Sequence, residues 1–153
     1  PTDPAGFAGY CASDNADTRV LMFAKTRKTL LKRASGKTLR KYRDRVLLAL
    51  ASRGLPLSTI AGIQTDNLVK ENNKYYLNLS DGQQIPVSKS LASDMSRYLR
   101  KAGIATSFGE TAFRQLQSKG KSVSEQPLCV SDLVHLLKGH ARRAKVSGQV
   151  IFL

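Results

Sequence analysis

The segment that most constrains the fold of this chain runs from Asp44 to Val69, DRVLLALASRGLPLSTIAGIQTDNLV. In and just before it, apolar residues recur on one side of a predicted helix over residues 38–53: Leu39, Tyr42, Val46, Leu47 and Leu50. Gly54 is a typical C-terminal stop, and Pro56 suits the first turn of a short helix over Leu57 to Ile63. The pattern predicts two consecutive helices joined by a tight turn, each with one face in a core.

Downstream, the pattern changes to short β-type runs. Three strands are predicted, at Asn67 to Glu71, Lys74 to Leu79 and Gln83 to Val87. The sequence Ser80-Asp81-Gly82 between the last two contains the Asp-Gly pair that is typical of a tight hairpin. These runs predict a small three-stranded antiparallel sheet.

Helical spacing marks three further segments. One helix is predicted from Ala16 to about Arg33, one from Leu91 until Gly103 ends it, and a last one from an N-cap at Ser131 to Ala144. The polar stretch between the last two is ambiguous, and one short helix is predicted there over Thr111 to Gln117.

The predicted fold class is therefore α+β, mainly α-helical with a small three-stranded antiparallel sheet. A length of 153 residues with 41% apolar residues suits one domain with a single core. We expect that domain to span residues 16–153. Residues 1–15 are rich in Pro, Gly, Ala, Asp and Asn without apolar periodicity, so they are predicted to form a flexible N-terminal arm.

The chain is strongly basic, and its charge is unevenly distributed. It has 25 Lys and Arg residues against 11 Asp and Glu, a formal net charge of +14, which points to a polyanionic partner. Asp44 is the only acid among the cations between Lys25 and Arg45. We predict that DNA phosphates are contacted by basic residues around the first two helices and the last one: Lys25, Arg27, Lys28, Lys32, Arg33, Lys37, Arg40, Lys41, Arg43, Lys138, Arg142, Arg143 and Lys145.

Several other classes of function are disfavoured. No apolar run is long enough to span a bilayer, and the N-terminus lacks the features of a signal peptide, so we expect no membrane partner and an intracellular, cytoplasmic or nucleoid-associated protein. Cys11 and Cys129 have no partners at metal-ligand spacing and are expected to be free thiols. Without a Gly-rich phosphate loop, a Ser-His-Asp set or a zinc signature, we expect no cofactor, no metal and no small-molecule substrate.

The stretch from Asp44 to Val69 resembles the first catalytic box of the tyrosine recombinases, the family of phage integrases and site-specific resolvases. In that family an apolar helix of the type RDxxLLxLLxxTGLRxSELxGLxxxDI ends in a Gly-Leu-Arg turn. The order of later elements is also similar, with Gln84-Ile85-Pro86-Val87 before a helix and with VSDLVHLLKGHARRAKV from Val130 to Val146. The resemblance covers roughly residues 18–148 and implies a fold like the recombinase catalytic domain.

The residues that perform the chemistry of that family are not matched. Pro56 stands where the family has the arginine that holds the scissile phosphate, and Thr59 where an acidic residue often follows. The general-acid lysine of the hairpin falls on Ser80-Asp81-Gly82, and Lys74 could replace it only in another register. The His-x-x-Arg box and the tyrosine nucleophile would lie beyond Val146, where SGQVIFL follows.

One further match is formal. The sequence His140-Ala141-Arg142-Arg143 spells His-x-x-Arg, and on a helix His140 and Arg143 would share a face and could both touch one phosphate. The surrounding residues better match the helix before the second box of the family. The preferred interpretation is therefore a phosphate contact or an ordinary surface position. His135 would lie on another face, which argues against a metal pair.

These observations favour a protein that binds double-stranded DNA on a tyrosine-recombinase scaffold, that is non-catalytic as given and that could self-associate on DNA. Three alternatives stay open. The chain could be a fragment of an active recombinase or integrase, and its apolar ending from Gln149 to Leu153 is consistent with a domain cut short. It could instead be a basic RNA-binding protein, or an adaptor that binds other proteins.

Overall fold

The computed structural model describes residues 18–104, 106 and 109–153. In this part of the chain the protein is mixed α+β, with more residues in helices than in strands. The five α-helices of the described residues are α1 (Ala24–Arg33), α2 (Leu39–Ala51), α3 (Leu57–Ala61), α4 (Lys89–Ala102) and α5 (Val130–Arg143). Its strands are β1 (Val20–Leu21), β2 (Leu68–Glu71), β3 (Lys74–Asn78), β4 (Gln84–Val87), β5 (Arg114–Gln117), β6 (Ser122–Pro127) and β7 (Ile151–Phe152). The arm predicted for residues 1–15, which includes Cys11, lies outside the described residues.

Helix α2 lies at the centre of the molecule. Its N-cap, Thr38, accepts a hydrogen bond through its hydroxyl from the Lys41 N–H, which satisfies one of the unpaired amides of the first turn. The apolar face of α2 is buried, as the helical spacing predicted, and packs most extensively against α4. From α4, Tyr98 stacks on Phe113 with ring centroids 5.8 Å apart. Burial raises the pKa of Tyr98 to about 12, so its hydroxyl stays protonated and donates to the Ala112 carbonyl.

The three-stranded antiparallel sheet is present, with strand order β2-β3-β4. The first hairpin turns at Asn72 and Asn73, both with positive φ, and the second turns at Asp81 and Gly82, where φ is 89°. Asparagine and glycine tolerate this left-handed backbone better than other residues. The predicted sheet and its Asp-Gly hairpin are therefore confirmed.

The helix predicted over Thr111 to Gln117 is wrong. Those residues lead into a two-stranded antiparallel hairpin, β5 and β6, in which Leu116 lies opposite Val123. The turn between the strands is the 3-10 segment Ser118–Gly120, where all three residues have positive φ. A polar stretch with isolated apolar residues has weak helical periodicity, so cross-strand pairing of Leu116 with Val123 decides its conformation. We call this unit the β5–β6 hairpin.

Helices α2 and α3 end at Ala51 and Ala61, each two residues before the predicted end, and the starts of the first and last helices also differ from the predictions. The first helix begins at Ala24 rather than Ala16, because Val20–Leu21 pairs with Ile151–Phe152 at the far end of the chain. We call this pair of strands the β1–β7 ribbon. It uses the apolar ending of the chain, and Val150 beside it is buried. The last helix is capped by Cys129, not Ser131, and the Asp132 carboxylate accepts the Cys129 N–H.

Candidate functional site

A cleft of about 560 Å³ lies between the N-terminal half of α2, strand β5 and helix α5. We call it the basic cleft, because cations outnumber carboxylates in its lining. The polar and charged residues that line it are Arg40, Arg43, Asp44, Gln115, Ser131, Asp132, His135, Arg142 and Arg143. Helix α2 supplies the first three of these and α5 supplies the last five, so the cleft exists only in the folded chain.

The wall of the basic cleft contains a buried group of three ionisable side chains. Arg43 and Asp44 are each only 4% exposed, and Arg43 Nε donates to Asp44 Oδ1 at 3.0 Å. A second nitrogen of Arg43, Nη1, donates to the Arg114 carbonyl at 3.0 Å. On the other side, His140 Nε2 lies 2.9 Å from Asp44 Oδ2, and it donates there because an ionised carboxylate only accepts. Through this triad α2 is joined to both β5 and α5.

Asp44 remains ionised although it is buried. Burial by itself would raise the pKa of the carboxyl, because a charge is poorly solvated inside a protein. The hydrogen bond from His140 and the positive charge of Arg43 outweigh that effect, and the pKa of Asp44 is lowered. The carboxylate therefore neutralises charge within the wall of the cleft and needs no partner from outside.

The second carboxylate of the cleft, Asp132, is also engaged. Its Oδ2 accepts from Gln115 Nε2 at 2.9 Å and from the Cys129 N–H at 3.0 Å, and the Cys129 thiol lies 3.2 Å away. Both carboxylates of the lining thus accept hydrogen bonds from other residues of the protein. Arg40, Arg142 and Arg143, by contrast, are exposed, so their charge is presented to solvent.

A second cavity of about 420 Å³ adjoins the basic cleft, because Arg40 belongs to the lining of both. We call it the hairpin cavity. It is lined by residues at the start of α2, the end of α4 and the turn of the β5–β6 hairpin: Thr38, Leu39, Arg40, Lys101, Lys119, Gly120 and Lys121. Sequence reasoning did not select the three lysines. The Ser-Lys-Gly-Lys sequence was a turn signal that could have indicated two of them, Lys119 and Lys121.

The structure brings together only some of the basic residues predicted to contact DNA. Arg40, Arg142 and Arg143 line the basic cleft on exposed positions. Arg43 also lines it, but its guanidinium is buried in the ion pair with Asp44, so the prediction that it contacts phosphate directly does not fit its position. His140 likewise is largely covered and hydrogen-bonded, which corrects its interpretation as a surface residue.

The other predicted contacts lie elsewhere. Helix α1 presents five exposed basic side chains, none of which lines the basic cleft: Lys25, Arg27, Lys28, Lys32 and Arg33. Lys37 is exposed before α2, and Lys41 donates from Nζ to the Arg33 carbonyl at 3.1 Å. Lys138 lies over the Phe152 ring at 5.4 Å, and Lys145 is exposed after α5. The basic cleft therefore gathers only a minority of the predicted basic residues.

The turn that contains Pro56 lies at the opposite end of α2 from the basic cleft. Ala51 is eight positions after Arg43, which corresponds to about 12 Å along a helix axis. Pro56 precedes α3, and the next amide, that of Leu57, donates to the Thr18 carbonyl at 2.8 Å. Arg19 Nη1 donates to the Gly54 carbonyl at 3.0 Å. This turn is thus held by residues that lead into the β1–β7 ribbon.

Other kinds of site find no support in the part of the chain that is described. Its His, Cys, Asp and Glu residues form no group of three or more that could hold a metal ion, and Cys129 is a free thiol. Within the same residues, none of the helices combines the length and apolar character needed to cross a membrane. A scan of protein-family models and a search of curated proteins find no match to this chain. The interpretation of the site therefore depends on its own geometry.

Proposed function

We propose that this chain binds double-stranded DNA through the phosphate groups that enter its basic cleft, as a non-catalytic module with a recombinase-like architecture. The observation that carries the proposal is the charge arrangement of the cleft. Its two carboxylates, Asp44 and Asp132, are satisfied internally, while Arg40, Arg142 and Arg143 face solvent. A surface that served only solubility would intersperse charges of both signs.

Arginine suits this role for a chemical reason. Its planar guanidinium presents a fork of N–H donors that matches two phosphate oxygens, and its charge is kept at every physiological pH. Gly139 gives one of these arginines room, because a Cβ at that position would lie 3.3 Å from Arg143 Nη1. Phosphate contacts of this kind position a duplex without reading its bases. We therefore propose binding with modest intrinsic sequence preference.

The proposal assigns no strand-transfer chemistry to the cleft. Its buried triad of Arg43, Asp44 and His140 is hydrogen-bonded within itself. At the position where the resembled motif has its phosphate-binding arginine, Pro56 has neither a charge nor a side-chain donor. Removal of one such transition-state donor typically lowers a rate by about 10²–10³-fold. Holding DNA is therefore the function that these residues support best.

The test is a fluorescence-anisotropy titration of a labelled 20-base-pair duplex at several salt concentrations. For the wild-type chain we expect log K to fall linearly with log salt, by about 0.9 for each phosphate contact. The double variant Arg142→Ala/Arg143→Ala should bind about tenfold more weakly at fixed salt, with a slope that is smaller by about 2. Affinity that does not change with salt would contradict the proposal.

The matched control removes the same charge from another surface. Lys74 and Lys89 are exposed on β3 and at the start of α4, and neither lines the basic cleft or the hairpin cavity. The variant Lys74→Ala/Lys89→Ala should therefore keep the wild-type salt slope. If it loses as much slope as the arginine variant, binding follows net charge and not the cleft.

Two further experiments distinguish this proposal from RNA binding and from recombinase activity. Duplex RNA of the same sequence is titrated beside the DNA. Tighter binding to RNA would show that RNA, and not DNA, is the preferred partner. A suicide DNA substrate that traps covalent intermediates tests for recombinase chemistry. Covalent attachment of the chain to this substrate would refute the non-catalytic assignment and support an active recombinase.

A further inference from the structure

The hairpin cavity gathers cations that are far apart in the sequence. Arg40 comes from the first turn of α2, Lys101 from the last turn of α4, and Lys119 and Lys121 from the turn of the β5–β6 hairpin. All four are exposed, and the lining of the cavity contains no acidic residue. Three separate elements thus deliver positive charge to one space of about 420 Å³.

Such convergence is unfavourable unless an anion is present. Like charges raise the free energy of the folded state when they approach one another, and a concave surface of one sign concentrates counterions. The amides of Leu39 and Arg40 belong to the first turn of α2, whose N–H groups have no acceptor within the helix. Both residues line the cavity, and cations beside the first turn of a helix match the oxygens of a phosphate group.

The turn of the β5–β6 hairpin lies against α2, because the backbone of Gly120 is close to the guanidinium of Arg40. A Cβ built on Gly120 would lie 3.6 Å from Arg40 Nη2 and 3.7 Å from Arg40 Nε. Gly120 also has a φ of 86°, a left-handed conformation that favours glycine. Glycine is therefore favoured here by the backbone conformation, and the turn that it forms lies in contact distance of Arg40 and lines the same cavity.

We propose that the hairpin cavity is a phosphate-binding site formed by Arg40, Lys101, Lys119 and Lys121. On DNA it holds a backbone phosphate next to those in the basic cleft, and Arg40 stands between the two. The assignment of a DNA phosphate as the natural ligand rests on the proposed function. The affinity of the cavity for phosphate itself can be measured without DNA. The β5–β6 hairpin thereby becomes part of the DNA-facing surface, which the sequence analysis did not include.

The first test uses inorganic pyrophosphate and two-dimensional NMR on the complete chain. We expect dose-dependent shifts at the backbone amides of Arg40 and Gly120, and their loss in the variant Lys119→Ala/Lys121→Ala. Lys119 has a φ of 58°, so a second variant, Lys101→Ala/Lys121→Ala, leaves that backbone position unchanged. The control Lys74→Ala/Lys89→Ala should keep the wild-type shifts. Shifts that persist in both cavity variants would overturn the proposal.

The second test repeats the DNA titration at several salt concentrations. Each cavity variant should lower the salt slope by about 2 and the affinity about tenfold, whereas the control should leave the slope unchanged. DNA binding with an unchanged slope in both cavity variants would overturn the phosphate site while the proposed function stands. Pyrophosphate shifts at Gly120 without any DNA binding would have the opposite meaning, because the cavity would be retained and the DNA function lost.

Discussion

The two ends of α2 are built in different ways. At its N-terminal half, Arg43 and Asp44 form a buried ion pair that continues to His140 on α5. At its C-terminal end, the turn from Gly54 to Pro56 has no charged side chain of its own. The Leu57 N–H that follows it donates to the Thr18 carbonyl, and the Arg19 guanidinium donates to the Gly54 carbonyl. A buried ion pair organises the first end, whereas hydrogen bonds to backbone carbonyls organise the second.

We call the turn from Gly54 to Pro56 the neutral end of α2 and the half with Arg43 and Asp44 its charged end. Exposed apolar side chains of the described residues lie near the neutral end. The large hydrophobic side chains that are exposed lie on or beside the β1–β7 ribbon: Leu21, Phe23, Ile151 and Leu153. Leu21 and Ile151 are cross-strand partners, so their side chains lie on the same face of the ribbon. In the resembled motif, the catalytic arginine would belong to this end of α2. Here the cations gather about 12 Å away along the helix, at the other end.

The largest effect should follow from breaking the charged end. Replacement of Asp44 by Ala leaves the guanidinium of Arg43 buried without its counter-ion and removes the acceptor of His140. We expect a loss of about 3–5 kcal/mol in the free energy of unfolding, as is typical when one partner of a buried pair is removed. Denaturant-induced unfolding followed by circular dichroism measures it.

Asp94 provides the matched comparison for that variant. It makes a two-pronged ion pair with Arg45 on α2, but both side chains are partly reached by solvent, with 15% and 17% of their area exposed. Asp94→Ala should therefore cost less than Asp44→Ala, because water partly replaces the lost partner. Equal losses in the free energy of unfolding would show that burial does not make the Arg43–Asp44 pair more important for stability than the Arg45–Asp94 pair.

The next largest effect is expected on DNA affinity, which should differ between variants at the two ends of α2. Arg40 lies at the N-terminal end of α2 in both cavities, whereas Arg53 follows its C-terminal end and donates from Nη1 to the Pro86 carbonyl. Arg40→Ala should lower the salt slope of DNA binding by about 1 and weaken binding several-fold. Arg53→Ala removes the same charge and should leave the slope unaltered; a larger effect at Arg53 would place the DNA at the neutral end.

The response to acid should also depend on the charged end. The pKa of Asp44 is lower in the folded chain than its ordinary value of 3.8, so the ionised carboxylate stabilises the fold above that value. This stabilisation is lost as the pH falls below 3.8 and through the pKa of the folded state. Unfolding measured from pH 6 down to pH 2 should show a smaller acid-induced loss for Asp44→Asn than for the wild type. Parallel pH profiles would contradict the role of the triad.

The smallest effect is expected at the neutral end. Pro56→Arg introduces the residue type of the resembled motif, but the basic cleft lies at the other end of α2 and the turn is held by hydrogen bonds to backbone carbonyls. We expect a stability change within about 1 kcal/mol, the usual scale for replacing a compatible proline, and no covalent DNA attachment. A gain of covalent product would contradict this expectation and would place a scissile phosphate at this turn.

The local elements followed from the sequence wherever their pattern was strong. The apolar spacing of α2 and the Asp-Gly hairpin at Asp81 and Gly82 are found as predicted. The helix ends at Ala51, two residues before the predicted end, and Gly54 has a positive φ in the turn that follows. The β5–β6 hairpin was missed, because its pairing of Leu116 with Val123 competes with only a weak helical pattern. The β1–β7 ribbon was missed because its two strands lie at opposite ends of the described chain.

For the candidate site, the sequence supplied the residue types but not their grouping. It identified the excess of cations and singled out Asp44 among them, and both observations follow from composition and order alone. It could not show that Asp44 is bonded to His140, that Arg43 is buried, or that Lys101, Lys119 and Lys121 meet Arg40. Those arrangements join residues that are distant along the chain, so they depend on how α2, α4, α5 and the hairpin pack. Local preference and total charge act along the chain, whereas burial and the pairing of charges arise only when the helices and the hairpin come together in the folded protein.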